Sequence, residues 1–236
     1  MRIVGAVCGV LLAGSVVAQA GSITIQKTSG DVAVRHGVTE VWTAVAPGDV
    51  LRPNDSMRTG KNGSATLLVQ EGQDSALRRM ALPPDVIVDL SDVRELTQDE
   101  LMLKLTMQKV RATPVRSPGG DPRISDAAVM HGTDASRQPA IAENDPQVGR
   151  SLLNGAKVLL DNGFSATAVL RTLEVFRLFP TLAGIIDNRM ALAGAMEKAS
   201  LKGEAVAEYN AIRQMNGLSP AQAGVVSARL EALRAK

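Results

Sequence analysis

The sequence predicts a β + α chain in two parts, an antiparallel all-β unit followed by an all-α unit of helical hairpins. Three observations carry this. From Ile23 to Ala112 apolar residues recur at every second position between turn clusters. From Pro146 to the C-terminus they recur at three- and four-residue spacing. Between Thr113 and Asp145 neither period holds, and Pro114, Pro118, Gly119, Gly120, Pro122 and Pro139 accumulate. The expected segments are therefore 1–20 as an address, 21–112 as a β domain, 113–145 as a flexible linker and 146–236 as a helical domain.

The address comes first. Arg2 precedes an apolar run from Ile3 to Val17, and Ala18-Gln19-Ala20 supplies the small-x-small pattern read by signal peptidase. The run is shorter than the ~20 residues needed to cross a bilayer and is interrupted by Gly5, Gly9 and Gly14. Cleavage after Ala20 is expected, placing the chain in the periplasm or outside the cell without stable membrane insertion. Cys8 lies inside this run, too early for a lipidation site, so the mature chain has no disulfide, thiol nucleophile or thiolate metal site.

In the β half, Ile23 and Ile25 alternate with polar partners, as do Val32 and Val34. Gly30-Asp31 between them marks a tight turn. Pro47-Gly48-Asp49 and Pro53-Asn54-Asp55 are further turns. Asn62-Gly63 suits a type I′ hairpin with Ala65–Val69 as its return strand, and Val86-Ile87-Val88 is a short β-branched run. The segment Thr97–Met107 admits two readings. Thr97-x-x-Glu100 fits a helix capping box, whereas Leu101, Leu103, Leu105 and Met107 alternate with period two. The second accounts for four apolar positions, so a strand is expected.

In the helical half, Asp145-Pro146 offers an N-cap followed by a first-turn proline. Leu152, Leu153, Ala156, Leu159 and Leu160 form one stripe, ended by Asn162-Gly163. A second helix carries Ala166, Val169, Leu170, Leu173 and Phe176 and stops before Pro180. Ile185, Ile186, Met190 and Ala193 mark a third. Ala205, Tyr209 and Ile212 mark a fourth, ending near Asn216-Gly217. Ser219-Pro220-Ala221-Gln222 opens a fifth, with Val226, Leu230 and Leu233 on its apolar face.

Composition narrows the function. Hydrophobic residues are 45% of the chain and charged ones 21%, which excludes general disorder. Aromatic residues are only 2%, too few for a base-stacking surface, and a net charge of +2 is too small to favour polyanion binding, so nucleic acid is not an expected partner. His36 and His131 are the only histidines and stand far apart in sequence. No metal-ligand spacing, nucleophile elbow or phosphate loop is present, so no catalytic residue, metal or cofactor is expected.

Three features remain open to function. Asp85, Asp89 and Asp92 approach a carboxylate cluster that could serve a hydrolase, although solvated strand-end carboxylates are the simpler expectation. Arg58 in Arg58-Thr59-Gly60 either engages an anion or braces a hairpin, with bracing preferred. Trp42 either covers the β core or marks a contact surface, with the core preferred. Met190, Met196 and Met215 read as packing.

Each half also carries a resemblance. Gly30-Asp31-Val32-x-Val34, Val45-x-x-Gly48-Asp49-x-Leu51, Asp55-x-x-Arg58-Thr59-Gly60 and Asn62-Gly63-x-Ala65-x-Leu67 resemble the FecR domain, a bacterial extracytoplasmic β-domain. Leu101-x-Leu103 with Val110-x-Ala112 is similar to that family's closing strand pair. Glu71-Gly72-Gln73 and the following Asp74–Met80 depart from it, as does Gln108, where the family has Gly. Signal-relay members have a membrane span ahead of the domain, so their sigma-factor role is not implied. In the other half, Gly163 and Pro180 recur as Gly203 and Pro220 at an offset of forty residues. With Ala168 they are similar to the tetratricopeptide repeat, although Glu208 then occupies the small-residue position of the second unit. The resemblances imply an extracytoplasmic, non-enzymatic adaptor or scaffold for protein or cell-wall polymer partners. The alternatives are a cell-envelope signalling regulator acting through a membrane partner, or an envelope hydrolase using Asp85, Asp89 and Asp92.

Overall fold

A computed structural model describes residues 22–70, 76–112 and 145–235. The expected signal peptide, most of the expected linker, Cys8 and His131 lie outside the described residues.

Among the described residues, eight strands follow in order: β1 (Ser22–Ser29), β2 (Val32–Arg35), β3 (Thr43–Ala44), β4 (Val50–Leu51), β5 (Ser56–Thr59), β6 (Ser64–Gln70), β7 (Arg78–Leu82) and β8 (Val86–Asp89). They form two four-stranded antiparallel sheets, β4-β1-β6-β7 and β3-β2-β5-β8. The two-residue period is realised most cleanly in β6, where Ala65, Leu67 and Val69 are buried and their neighbours are not. These residues meet Val34, Met57, Val86 and Val88 of the other sheet in one core.

The chain passes from one sheet to the other at Gly30-Asp31 and again at Gly60–Gly63. The two crossings touch: Gly60 N donates to Asp31 O at 2.9 Å, and a Cβ on Gly63 would lie 2.0 Å from the same oxygen. A Cβ on Gly30, whose φ is +68°, would lie 2.0 Å from Asn62 O. The glycines are therefore fixed by close approach of backbone to backbone. This corrects the expected Asn62-Gly63 hairpin. Neither residue has the positive φ that a type I′ turn demands, and β5 and β6 lie in different sheets.

A 3-10 turn (Leu90–Asp92) leads into helix α1 (Gln98–Ala112), which overturns both the strand expected at Thr97–Met107 and the closing strand pair implied by the FecR resemblance. The cap decides it. Thr97 Oγ1 accepts from Glu100 N at 3.2 Å, and Glu100 Oε2 accepts from Thr97 N at 3.0 Å. These bonds, with the Arg94 guanidinium, hold the Glu100 carboxyl below its ordinary range. Leu101 and Leu105, four apart, are buried, whereas Leu103 is 63% exposed and Met107 49%.

Helices α2 (Pro146–Asp161), α3 (Ser165–Leu178), the single-turn α4 (Pro180–Ala183), α5 (Ile186–Lys198), α6 (Lys202–Arg213) and α7 (Pro220–Arg234) complete the fold. Asp145 and Ser219 are the expected N-caps, the latter in a full capping box with Gln222. Met196 is buried, and Met190 and Met215 pack partly buried against the core beneath α6 and α7. The offset is not uniform: Pro180 and Pro220 open α4 and α7 at the expected forty residues, whereas the turns that open α3 and α6 are 37 apart. Phe164 N bonds Leu159 O and Leu201 N bonds Met196 O, each at 2.9 Å, closing equivalent helix ends around left-handed Gly163 and Ser200. In this register Ala168 matches Ala205, both buried, and Gly203 falls inside α6. A serine in the left-handed position concealed this match, which the sequence had placed at Gly203.

The two halves share their cores. Val158, Leu159, Phe164 and Ala168 complete the sandwich core, so the one aromatic side chain there comes from the helical half. Leu101 and Leu105 of α1 pack with Val169 and Leu170 of α3. Strand β8, an edge of its sheet, is covered by α2: a Cβ on Gly155 would sit 1.9 Å from Ile87 O, and Asn154 Nδ2 donates to Asp85 O at 3.0 Å.

Candidate functional site

Two side-chain constellations stand out, joined by one polar row across the second sheet. The first sits where β8, the 3-10 turn and α3 meet. The short β8 places Asp89 at its end, and the 3-10 turn brings Asp92 back beside it. Arg171, midway along α3, donates from Nη2 to Asp89 Oδ2, from Nε to Asp92 Oδ2 at 2.8 Å and from Nη1 to Glu174 at 3.0 Å. Its side chain is 15% exposed.

The electrostatics of this cluster are those of one cation among three carboxylates. Burial pushes the Asp92 carboxyl above its ordinary value, against the lowering pull of Arg171. Arg171 itself is held far above its ordinary range: the three carboxylates outweigh the burial that disfavours its charge. Two of the three sequence candidates are thus brought together, but on a guanidinium rather than in water. Asp85 does not join them; it occupies a turn with φ +57° and offers its backbone oxygen to Asn154.

Beside the cluster a cleft of about 310 Å³ opens between α1 and α3, with Asp92, Arg171 and Glu174 on one wall and Lys104, Met107 and Gln108 on the other. Gln108 Nε2 donates to Leu170 O at 3.1 Å, while its buried Oε1 has no donor among the described residues. Among the described residues no group of three His, Cys, Asp or Glu side chains is placed to hold a metal ion.

The second constellation lies on the outer face of the β3-β2-β5-β8 sheet. Register places Arg35 opposite Ser56 and Ser56 opposite Asp89. Arg35 Nη2 donates to Ser56 Oγ at 3.1 Å, and Ser56 Oγ donates to Asp89 Oδ1 at 2.5 Å, so the row runs on into Arg171. Trp42, just before β3, is partly exposed and belongs to no buried cluster among the described residues, which corrects the reading that places it over the core. Two cations lie over its ring, Arg35 at 5.3 Å and Arg58 at 5.0 Å from the centroid. The Arg58 side chain forms no ion pair or hydrogen bond among the described residues; its contact is with the Trp42 ring.

His36 stands 57% exposed with Nδ1 3.2 Å from the buried Asp55, whose other oxygen closes the Pro53-Asn54-Asp55 turn by accepting from Arg52 N. Arg35, Arg171 and Glu174 escaped the sequence reading, and Gln108 entered it only as a departure from the FecR pattern. Arg171 carried a usable signal: it lies four residues from both Thr167 and Val175, on the buried side of α3.

The fold these residues define is a two-sheet antiparallel sandwich continued and sealed by stacked helices. Comparison with protein-family models, curated proteins and solved structures finds no match to the chain. No helix among the described residues is long and apolar enough to cross a membrane.

Proposed function

We propose that the protein is a non-enzymatic adaptor of the extracytoplasmic space, a FecR-like β unit and tetratricopeptide-like helices presented to protein or cell-wall partners as one platform. The observation that carries this reading is the Arg171 cluster. Asp89 and Asp92, the best-placed carboxylates for hydrolysis, are committed to one buried guanidinium that ties sheet to helix. Carboxylates so engaged act as acceptors that hold a joint. The pattern of Ala18-Gln19-Ala20 after an apolar run supports export.

Affinity capture from an envelope fraction tests the proposal, with the full-length chain as bait and a thermally unfolded sample as control. Reproducible retention of one partner by the folded chain alone is the expected result; none across repeated preparations counts against the adaptor. A second reading, an envelope hydrolase, draws on the raised Asp92 carboxyl at the edge of the cleft. It requires measurable turnover of peptidoglycan or glycan that Asp92→Asn abolishes while the fold survives.

A further inference from the structure

We infer that the outer face of the β3-β2-β5-β8 sheet binds an oxyanion, a carboxylate or phosphate group, between Arg35 and Arg58 beside Trp42. The inference concerns this face alone and does not depend on the adaptor reading.

The argument begins with register. Arg58 is paired across the strands with Ala33, and Arg35 is two residues along from Ala33, so the two arginines are diagonal neighbours on one face. Diagonal side chains of this length reach each other. Both guanidinium groups lie within 5.3 Å of the centroid of the same indole ring. Two cations are thus gathered at one aromatic side chain, and Arg58 has no carboxylate within ion-pair distance among the described residues. Arg35 reaches Asp89 only through the Ser56 hydroxyl, and Asp89 is already bound to Arg171.

Donor capacity points the same way. Nε of Arg35 and Nε of Arg58 are both buried without an acceptor. A buried N–H without a partner is uncommon in folded proteins, and here two occur on one face in neighbouring cations. Ala33, also on this face, is only 5% exposed, so the side chains around it lie across the sheet rather than extending into water. The ring and the sheet lower the local dielectric, which strengthens whatever charge is brought between the guanidiniums. Arginine forks match the planar carboxylate and the tetrahedral phosphate alike, so the geometry selects an oxyanion rather than one kind. The residues come from β2, β5 and the approach to β3.

Trp42 is the only tryptophan in the chain, so its emission reports on this face directly. Full-length protein is titrated with inorganic phosphate, with malonate and with sodium chloride at matched ionic strength, and the same titrations are followed by calorimetry. The expected result is a saturable response to phosphate or malonate that chloride does not reproduce. Which of the two binds more tightly identifies the preferred oxyanion. Arg58→Met, which keeps the aliphatic stem, weakens binding at least tenfold, and Arg35→Met weakens it at least threefold. Lys202→Ala, on the first turn of α6, leaves it unchanged. Circular dichroism and the urea midpoint establish that each variant is folded, and Arg58→Lys replaces any that is not, with a threefold or greater loss expected. Responses to all three salts that coincide, in emission and in heat, overturn the inference. So does a folded Arg58 variant with wild-type affinity.

Discussion

Replacing Arg171 by Met removes the charge at the joint between sheet and helix while keeping most of the side-chain volume. Arg171 is 15% exposed, and the three carboxylates it serves are each no more than about a quarter exposed. Removing one partner from a buried ion pair costs about 3–5 kcal/mol, because the opposite charge is left uncompensated. With a urea dependence on the order of 2 kcal/mol per M, the midpoint should fall by roughly 1.5–2.5 M. The loss must also depend on pH. Without Arg171, Asp92 loses the attraction that opposes its burial, so its folded-state pKa rises further above the unfolded value. A carboxyl raised in the folded state costs stability above its folded pKa, and that cost is relieved as pH falls through that value. The gap between variant and wild type should therefore narrow from pH 7 to pH 4.5. Adding Asp92→Asn to Arg171→Met should recover part of the loss at pH 7. Urea unfolding of the three proteins at both pH values is the assay. A penalty under about 1 kcal/mol at pH 7, or one that does not shrink on acidification, would refute the reasoning.

Gly155→Ala sets a methyl group 1.9 Å from Ile87 O, a backbone atom of a strand that cannot yield alone, and should lower stability by roughly 1–3 kcal/mol or more in thermal unfolding. Phe164→Ala empties a site only 2% exposed and should cost about 3–5 kcal/mol, registered by probes in the β half although the residue belongs to the helical half. Leu105→Ala should cost about 2–5 kcal/mol. Leu103→Lys, two residues earlier on the exposed side of α1, should stay within about 0.5 kcal/mol by urea denaturation; equal losses at both positions would favour a strand there. Glu100, held below its ordinary pKa by its cap bonds, supports α1 above the unfolded carboxyl pKa, and this support is lost as pH falls through its folded value. Protection factors of the first-turn amides of α1, exchange rates corrected for the intrinsic pH dependence, should fall there in wild type and already be low at pH 7 in Glu100→Ala.

Local patterning made four of the eight described strands, β1, β2, β6 and β8, and every long helix of the C-terminal half legible in the sequence, because their apolar periods and caps are local. What depended on distant segments was not. Thr97–Met107 carried two compatible patterns, and a capping box together with the apolar surface of α3 chose the helix. Asn62-Gly63 advertised a hairpin because the dipeptide is common there, but the requirement it meets is clearance from Asp31 across a sheet crossing. Gly203 was misjudged as the counterpart of Gly163 because Ser200 adopts a backbone that glycine usually takes. At the candidate sites, Asp89 and Asp92 were identifiable as a pair, whereas their partner Arg171 is some eighty residues away and marked only by its place on a buried helix face. Trp42 and Arg58 were singled out separately; their meeting depends on strand register, which sequence spacing does not disclose.

The claim that unifies these findings is that sheet and helices form one cooperative body, welded by Arg171, by α2 against β8 and by Phe164 in the sandwich core. Trp42 reports on the sheet alone, since no other tryptophan is present, and ellipticity at the helical band reports chiefly on α1 to α7. Urea unfolding of the full-length chain followed by both signals tests the claim most directly. One body predicts superimposable transitions with a common midpoint and slope. Two separated transitions, with the tryptophan signal moving independently of the helical one, would contradict it.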